Sequence, residues 1–337
     1  MKKFTLFVGI DISRNWFDAS LTTDGLKKHM IHCQFENNTK GFKKFMVWVK
    51  KHAAQFGLKG PWLFCMEHTG VYTLPLCVFL EEQQLDFVTE SALRIKRSLG
   101  IRRGKSDKAD SKDIAKYAIT NSKDLKISTL PSVKLMELKN FLTYRARLVK
   151  QRMMLKASSK EFNAFMPKKF SSDFIQNDSK ELIKILNAKI KAVQKAILEV
   201  INEEPELKRL YELVISVKGI GFVTTVTMLV FTNCFKAFEN ARKFACYIAI
   251  APFDESSGTS FYIAPKVGKM GHTKIKALLS NACCSAIQYD EQIKAYYNRK
   301  IKEGKEKGCV QNNVKNKLIS RIFAVVKRGT PFVELKY

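Results

Sequence analysis

No stretch of this chain approaches the ~20 consecutive apolar residues of a membrane-spanning helix, so a membrane protein is not expected. The opening MKKFTLFVGID has two lysines and a short apolar run. Asp11 interrupts it too soon for a signal peptide, and a small-residue cleavage site is missing. None of the eight cysteines has CxxC spacing or a zinc-finger partner histidine, which excludes a zinc ribbon. His29 and His32 stand close together but lack further ligands. Reduced thiols in a soluble, cytoplasmic protein are the expectation. FVGIDIS suits the first strand of a sugar kinase or actin-like ATPase, but the further glycine-rich phosphate loops of those enzymes are absent. Acidic residues are scarce too. Asp and Glu number 31 against 59 Lys and Arg, a net charge of +28.

That charge opposes compaction unless a polyanion neutralises it. Hydrophobic content of 46% with 24 phenylalanines describes a globular chain, so disorder does not account for the charge. Nucleic acid is the expected partner. Its binding should weaken steeply with salt, with a slope of log K against log salt of about −0.9 per phosphate neutralised on duplex DNA. A filter-binding titration across salt concentrations checks this, and a flat response would assign the charge another role.

A length of 337 residues fits two or three domains. Strands are expected at 4–11, 16–22 and 29–35, and a helix follows from an Asn38 N-cap to a stop at Gly57. Strand 62–66, helix 72–84, strand 85–89, a short helix after Ser91 and a helix from Ser106 through Ile119 complete the order βββαβαβα. This is the chain order of a ribonuclease-H-like α/β domain. From Ser132 to about Glu204 glycine is absent. There Leu182, Ile185, Leu186, Ile190, Val193, Ile197 and Val200 form one helical stripe, read as an antiparallel helical or coiled-coil pair broken near Pro167. The expected division is an α/β domain at 1–125, a helical segment at 126–206, a mainly α domain at 207–304 and a basic helical tail at 305–337.

Asp11 and Glu67 each end an apolar strand run, and Asp107 and Asp110 share a helix face at i and i+3. Four such carboxylates describe an oxygen cradle for Mg²⁺, with Mn²⁺ as the alternative, around a phosphodiester. Asp113 continues that face and is read as solvated or in an outer layer. The adjoining RIKRSLGIRRGK supplies Arg94, Lys96, Arg97, Arg102, Arg103 and Lys105 for flanking phosphates. Gly219 and Gly221 form a turn between apolar helices. It resembles a helix-hairpin-helix, whose backbone amides grip a phosphate. Ser256 and Ser257 precede Gly258 in a loop, with Lys266 and Lys269 downstream; Ser-Ser-Gly alone is usually a turn.

GIDIS at 9–13, EHTGVY at 67–72 and KSDKADSKDIA at 105–115 resemble the amino-terminal domain of the DEDD transposases, the Piv-type recombinases of the IS110 insertion-sequence family. GIGFVTT, IAIAPFDESSG and GKMGHTKIKALL resemble that family's carboxy-terminal transposase domain. The resemblance implies a RuvC-like metal domain with Asp11, Glu67, Asp107 and Asp110 as ligands. It also implies a serine that attacks DNA covalently, which maps to Ser257 with Ser256 as the second candidate. A structured noncoding guide RNA and a homo-oligomer, dimer or tetramer, are implied as partners. Three positions depart from the family pattern: Ser106 for Thr, Ser111 for Ala and His272 for Asn. The competing function is a junction-resolving or general metal-dependent nuclease, which shares the carboxylates but needs no serine.

Overall fold

A computed structural model describes residues 3–23, 30–68, 70–98, 100, 107–167, 173–257, 261–268 and 270–334, with side chains left undescribed at 254–257 and 261–266. The chain divides into two compact units, Met1–Leu130 and Pro131–Tyr337.

The first unit holds β1 (Leu6–Ile12), β2 (Trp16–Thr22), β3 (Ile31–Glu36), α1 (Thr39–Gln55), β4 (Trp62–Glu67), α2 (Leu74–Glu82), β5 (Asp86–Glu90), α3 (Ala92–Ser98) and α4 (Asp107–Thr120). The strands form one mixed sheet in the order β3-β2-β1-β4-β5. β1, β2 and β3 pair antiparallel, while β4 and β5 run parallel to β1. Local signals set the helix ends: the Asn38 side chain accepts from the Gly41 amide at 2.9 Å, and Gly57 leaves α1 at φ +65.

Strand alternation sorts the side chains onto two faces. Val8, Ile10, Phe17, Ala19, Phe64 and Met66 bury against Phe42, Phe45 and Val49 of α1 and Leu76 and Leu80 of α2. Phe7, Leu63, Cys65 and Val88 face the other way, onto Ile95 of α3 and Ile114, Tyr117 and Ala118 of α4. Both faces are therefore covered, as strands β1 and β4, apolar in nearly every position, require.

The second unit is mainly helical: α5 (Val133–Phe165), α6 (Asp173–Asn202), α7 (Pro205–Ile215), α8 (Phe222–Phe231), α9 (Ala241–Tyr247), the hairpin β6 (Pro252–Ser257) and β7 (Phe261–Val267), then α10 (Thr273–Tyr289), α11 (Glu291–Lys302) and α12 (Lys307–Arg328). Ile190, Val193, Ile197 and Val200 of α6 bury against Leu135, Leu138 and Leu148 of α5, with Leu207 of α7 and Val226 of α8 in the same core. Leu182 and Ile185, on the far part of the stripe, stay exposed. The final helix is basic as expected and is also a core element. Val314, Leu318, Ile322 and Val325 pack among α7, α9, α10 and α11 side chains. Among the described residues no helix is long and apolar enough to cross a membrane.

Candidate metal centre and transposase motifs

Cross-strand register explains why carboxylates collect on the α4 face. Asp11 pairs with Asp18 of β2, Asp18 pairs with Gln34 of β3, and Glu67 pairs with Glu90 of β5. The β1–β4 pairing ends at Ile10–Met66, and continuing it by one position sets Asp11 beside Glu67. One row therefore runs Gln34, Asp18, Asp11, Glu67, Glu90 across the sheet.

Both ends of this row are tied off. Asp18 is held by His32 Nε2 at 2.6 Å and accepts from Gln34 Nε2 at 3.0 Å. Glu90 accepts from the Tyr117 hydroxyl at 2.9 Å, Arg94 Nη1 at 3.1 Å and the Ser91 amide at 2.9 Å. The middle of the row meets α4. Carboxylate oxygens of Asp11, Asp107 and Asp110 all lie within 4.8 Å of one another, the one such set among the described residues that could hold a metal. Glu67 falls outside this triplet, yet its charge still acts on Asp11. Burial pushes the Asp11 carboxyl up to about 6, and Asp110, Asp107, Glu67 and Asp18 push it the same way. Converging carboxylates suit a hard divalent cation, which oxygen ligands bind best.

Gly9 makes this approach possible. A Cβ there would lie 2.1 Å from the Ala115 amide nitrogen and 2.3 Å from the Ser111 carbonyl oxygen, so only glycine lets α4 sit this close to β1. Ser111 meets Ser20 of β2 hydroxyl to hydroxyl at 2.8 Å, a buried polar link between helix and sheet. Asp113, expected on the solvated side or in an outer layer, is buried with Lys116 at 3.9 Å, because the small and apolar residues around it draw α4 onto the sheet.

The basic residues divide. Arg94, Lys96 and Arg97 are all exposed on α3, and Arg94 also pairs with Glu90. Arg102, Arg103, Lys105 and Lys269 lie outside the described residues, as do His29, Ser106 and Gly258. Gly219 has φ +87, and a Cβ there would meet Ala286 Cβ at 2.7 Å, so packing against α10 already accounts for this glycine. Gly221 caps α8 with no side-chain bond and has open space where a Cβ would be. Ser256 and Ser257 lie at the end of β6, paired to Tyr262 and Phe261, and Lys266 lies on β7. The expected loop is thus a hairpin arm. Alternation was too weak in DESSG to reveal a strand whose partner follows only after Gly258. His272, in place of the family Asn, accepts from the Ile275 amide at 3.4 Å and keeps the capping function at the start of α10.

Sequence reading missed Asp18, Glu90 and Gly9. Glu90 ends β5 as Glu67 ends β4, a signal that was available; Asp18 and Gly9 become visible only once strand neighbours are known.

Two transposase family models match the chain, one in each half. Residues 8–162 match the DEDD-type IS110 transposase model, and residues 211–298 match a model described as transposase of the IS116/IS110/IS902 family. Pilin gene-inverting proteins of Moraxella lacunata and Moraxella bovis are each 26% identical over 332 residues, 97% of both chains. An uncharacterized 43.6 kDa protein of insertion element IS110 from Streptomyces coelicolor is 30% identical over 139 residues, 41% of this chain and 34% of that one. With both family models matched in order along a chain that aligns almost end to end with pilin gene-inverting proteins, this protein belongs to the IS110 family of DEDD transposases and site-specific recombinases.

Proposed function

We propose that this chain cleaves and rejoins DNA with a ribonuclease-H-like, RuvC-like carboxylate centre and a serine nucleophile. The convergence of Asp11, Asp107 and Asp110, with Glu67 beside Asp11 in the sheet, carries this reading. A bound Mg²⁺ or Mn²⁺ would supply Lewis-acid polarisation of the scissile phosphate. Asp11, Asp107, Asp110 and Glu67 would hold it, and Asp18 and Glu90 stay committed to their own partners. Lys96, Arg97, Arg102, Arg103 and Lys105 take the phosphates on either side, and the uncapped α8 amides after Gly221 take another.

In cleavage the Ser257 oxygen forms a new bond to the scissile phosphorus as the bond from phosphorus to the DNA oxygen breaks, and the serine proton ends on that oxygen as a free hydroxyl end. Rejoining is the reverse: a DNA hydroxyl attacks the phosphoserine, the Ser257–phosphorus bond breaks, and the proton returns to Ser257. The division of labour follows the four segments 1–125, 126–206, 207–304 and 305–337. Assembly as a dimer or tetramer draws support from apolar residues exposed toward the far ends of α5 and α6, among them Phe165, Phe174 and Ile175. Selection of target and donor DNA by a structured noncoding RNA completes this reading, as the family resemblance implies.

Trapping on a nicked suicide substrate tests the serine. A DNA-linked peptide containing Ser257 is the expected product by mass spectrometry, and Ser257→Ala should abolish both adduct and rejoining. Full recombination by a Ser256→Ala, Ser257→Ala double variant would rule the serine out, and hydroxyl-ended products with neither adduct nor rejoining would leave a metal-dependent nuclease instead.

A further inference from the structure

Two large aromatic side chains stand exposed on segments that adjoin β1 and β4: Trp16, at 47%, begins β2, and Tyr72, at 43%, comes five residues after Glu67. Along β2, Phe17, Ala19 and Leu21 turn into the α1 and α2 core. Alternation therefore places Trp16 on the same face as Asp18 and Asp11, two residues past Asp18 and roughly 7 Å further along the strand. The Trp16 carbonyl accepts from the Ser13 amide at 2.9 Å and the Ser13 hydroxyl at 2.8 Å. Asn37 then clamps two loops together, its Nδ2 donating to the Ser13 carbonyl at 3.0 Å and to the Tyr72 carbonyl at 3.1 Å. These are the loops that follow Asp11 on β1 and Glu67 on β4. Arg14, exposed, lies within the first of them.

We propose that Trp16 and Tyr72 form a stacking rim for an unpaired nucleobase next to the phosphate held at the carboxylates; this rests on the phosphodiester reading of that centre. Every base presents a π face to an aromatic ring, so such a rim accepts any sequence. Arg14 supplies the cation for that nucleotide's phosphate. The surface is built of rings and a guanidinium on a chain of net charge +28, which suits a nucleotide.

Binding of full-length protein to single strands carrying 2-aminopurine, in EDTA, tests this without any cleavage. Trp16→Ala and Tyr72→Ala should each weaken binding roughly 5- to 100-fold and relieve quenching of the base analogue. The slope of log K against log salt should stay unchanged, since stacking releases no counterions. Trp16→Phe and Tyr72→Phe, which keep a ring and the fold, should retain most of the affinity. DNA and RNA strands of one sequence are titrated in parallel, and loss on either supports the rim. Wild-type affinity and quenching in the alanine variants on both strands would overturn it. So would phenylalanine variants as weak as alanine ones, or a salt slope reduced by about one, which would mark a phosphate contact. Because no metal is present, failure here leaves the carboxylate reading standing, and that reading fails only on cleavage data.

Discussion

Asp11→Asn is expected to lower DNA cleavage on the order of a thousandfold while making the metal-free protein more stable. On the proposed mechanism, the loss follows from removing a charged ligand from the centre of the carboxylate set, where metal stabilisation of a reacting phosphate would amount to several kcal/mol. The gain in stability follows from the Asp11 carboxyl being held up near 6, by burial first and then by Asp110, Asp107, Glu67 and Asp18. Its value in the unfolded chain is 3.8. Between those values the folded protein retains a proton that the unfolded chain releases. Stability therefore falls as pH rises through this window, and the loss is complete above about pH 6. Partial exposure screens the effect, leaving about 1–2 kcal/mol at neutral pH.

Thermal scans in EDTA at pH 5 and pH 7.5 check the sign. The variant should melt a few degrees above the wild type at pH 7.5, with a smaller gap at pH 5. Added Mg²⁺ or Mn²⁺ should raise the wild-type midpoint and leave the variant's nearly unmoved. A variant less stable than the wild type at pH 7.5, together with undiminished cleavage, would remove Asp11 from the centre.

Gly9→Ala should be nearly as damaging, although the glycine has no chemistry of its own. The new Cβ would press on backbone atoms of Ala115 and Ser111, which no rotamer change relieves. Helix α4 has to retreat, and Asp107 and Asp110 retreat with it. Overpacking of this kind costs about 3 kcal/mol or more. A shift near 1 Å in catalytic groups costs about a hundredfold in rate. Urea denaturation and a cleavage assay on the same preparation measure both effects. Gly308→Ala is the contrast: it lies early in α12 with nothing within 4 Å of an added Cβ, so it should be neutral or stabilising by up to ~1 kcal/mol. If Gly9→Ala behaves like Gly308→Ala, close packing of α4 on β1 is not what assembles the site.

Much of the α/β unit was legible because its signals are local. Apolar runs ending at Asp11 and Glu67 mark strand ends, Asn38 and Gly57 mark the bounds of α1, and i, i+3 spacing puts Asp107 and Asp110 on one face of α4. Glycine's absence between Ser132 and Glu204, with an apolar stripe and a break at Pro167, likewise spells two long helices, α5 and α6. Each of these depends on residues a few positions apart.

Strand neighbours and register depend on residues far apart, and there the tertiary structure decided. Sequence order does not say that β1 lies between β2 and β4. Only that placement lines up Asp18, Asp11, Glu67 and Glu90 and lets His32 hydrogen-bond Asp18 and Arg94 pair with Glu90. Glu67 likewise carries the right side chain at a strand end yet stands outside the closest triplet, because distances across a sheet are set by pairing and twist. The serine hairpin and the burial of α12 are of the same kind: each draws its stability from a partner segment that local pattern cannot name. Residue types and their spacing thus determined which carboxylates are candidates for a metal site. Packing across the sheet determined which of them converge and which are taken up by a neighbour, as Asp18 is by His32 and Glu90 by Arg94 and Tyr117.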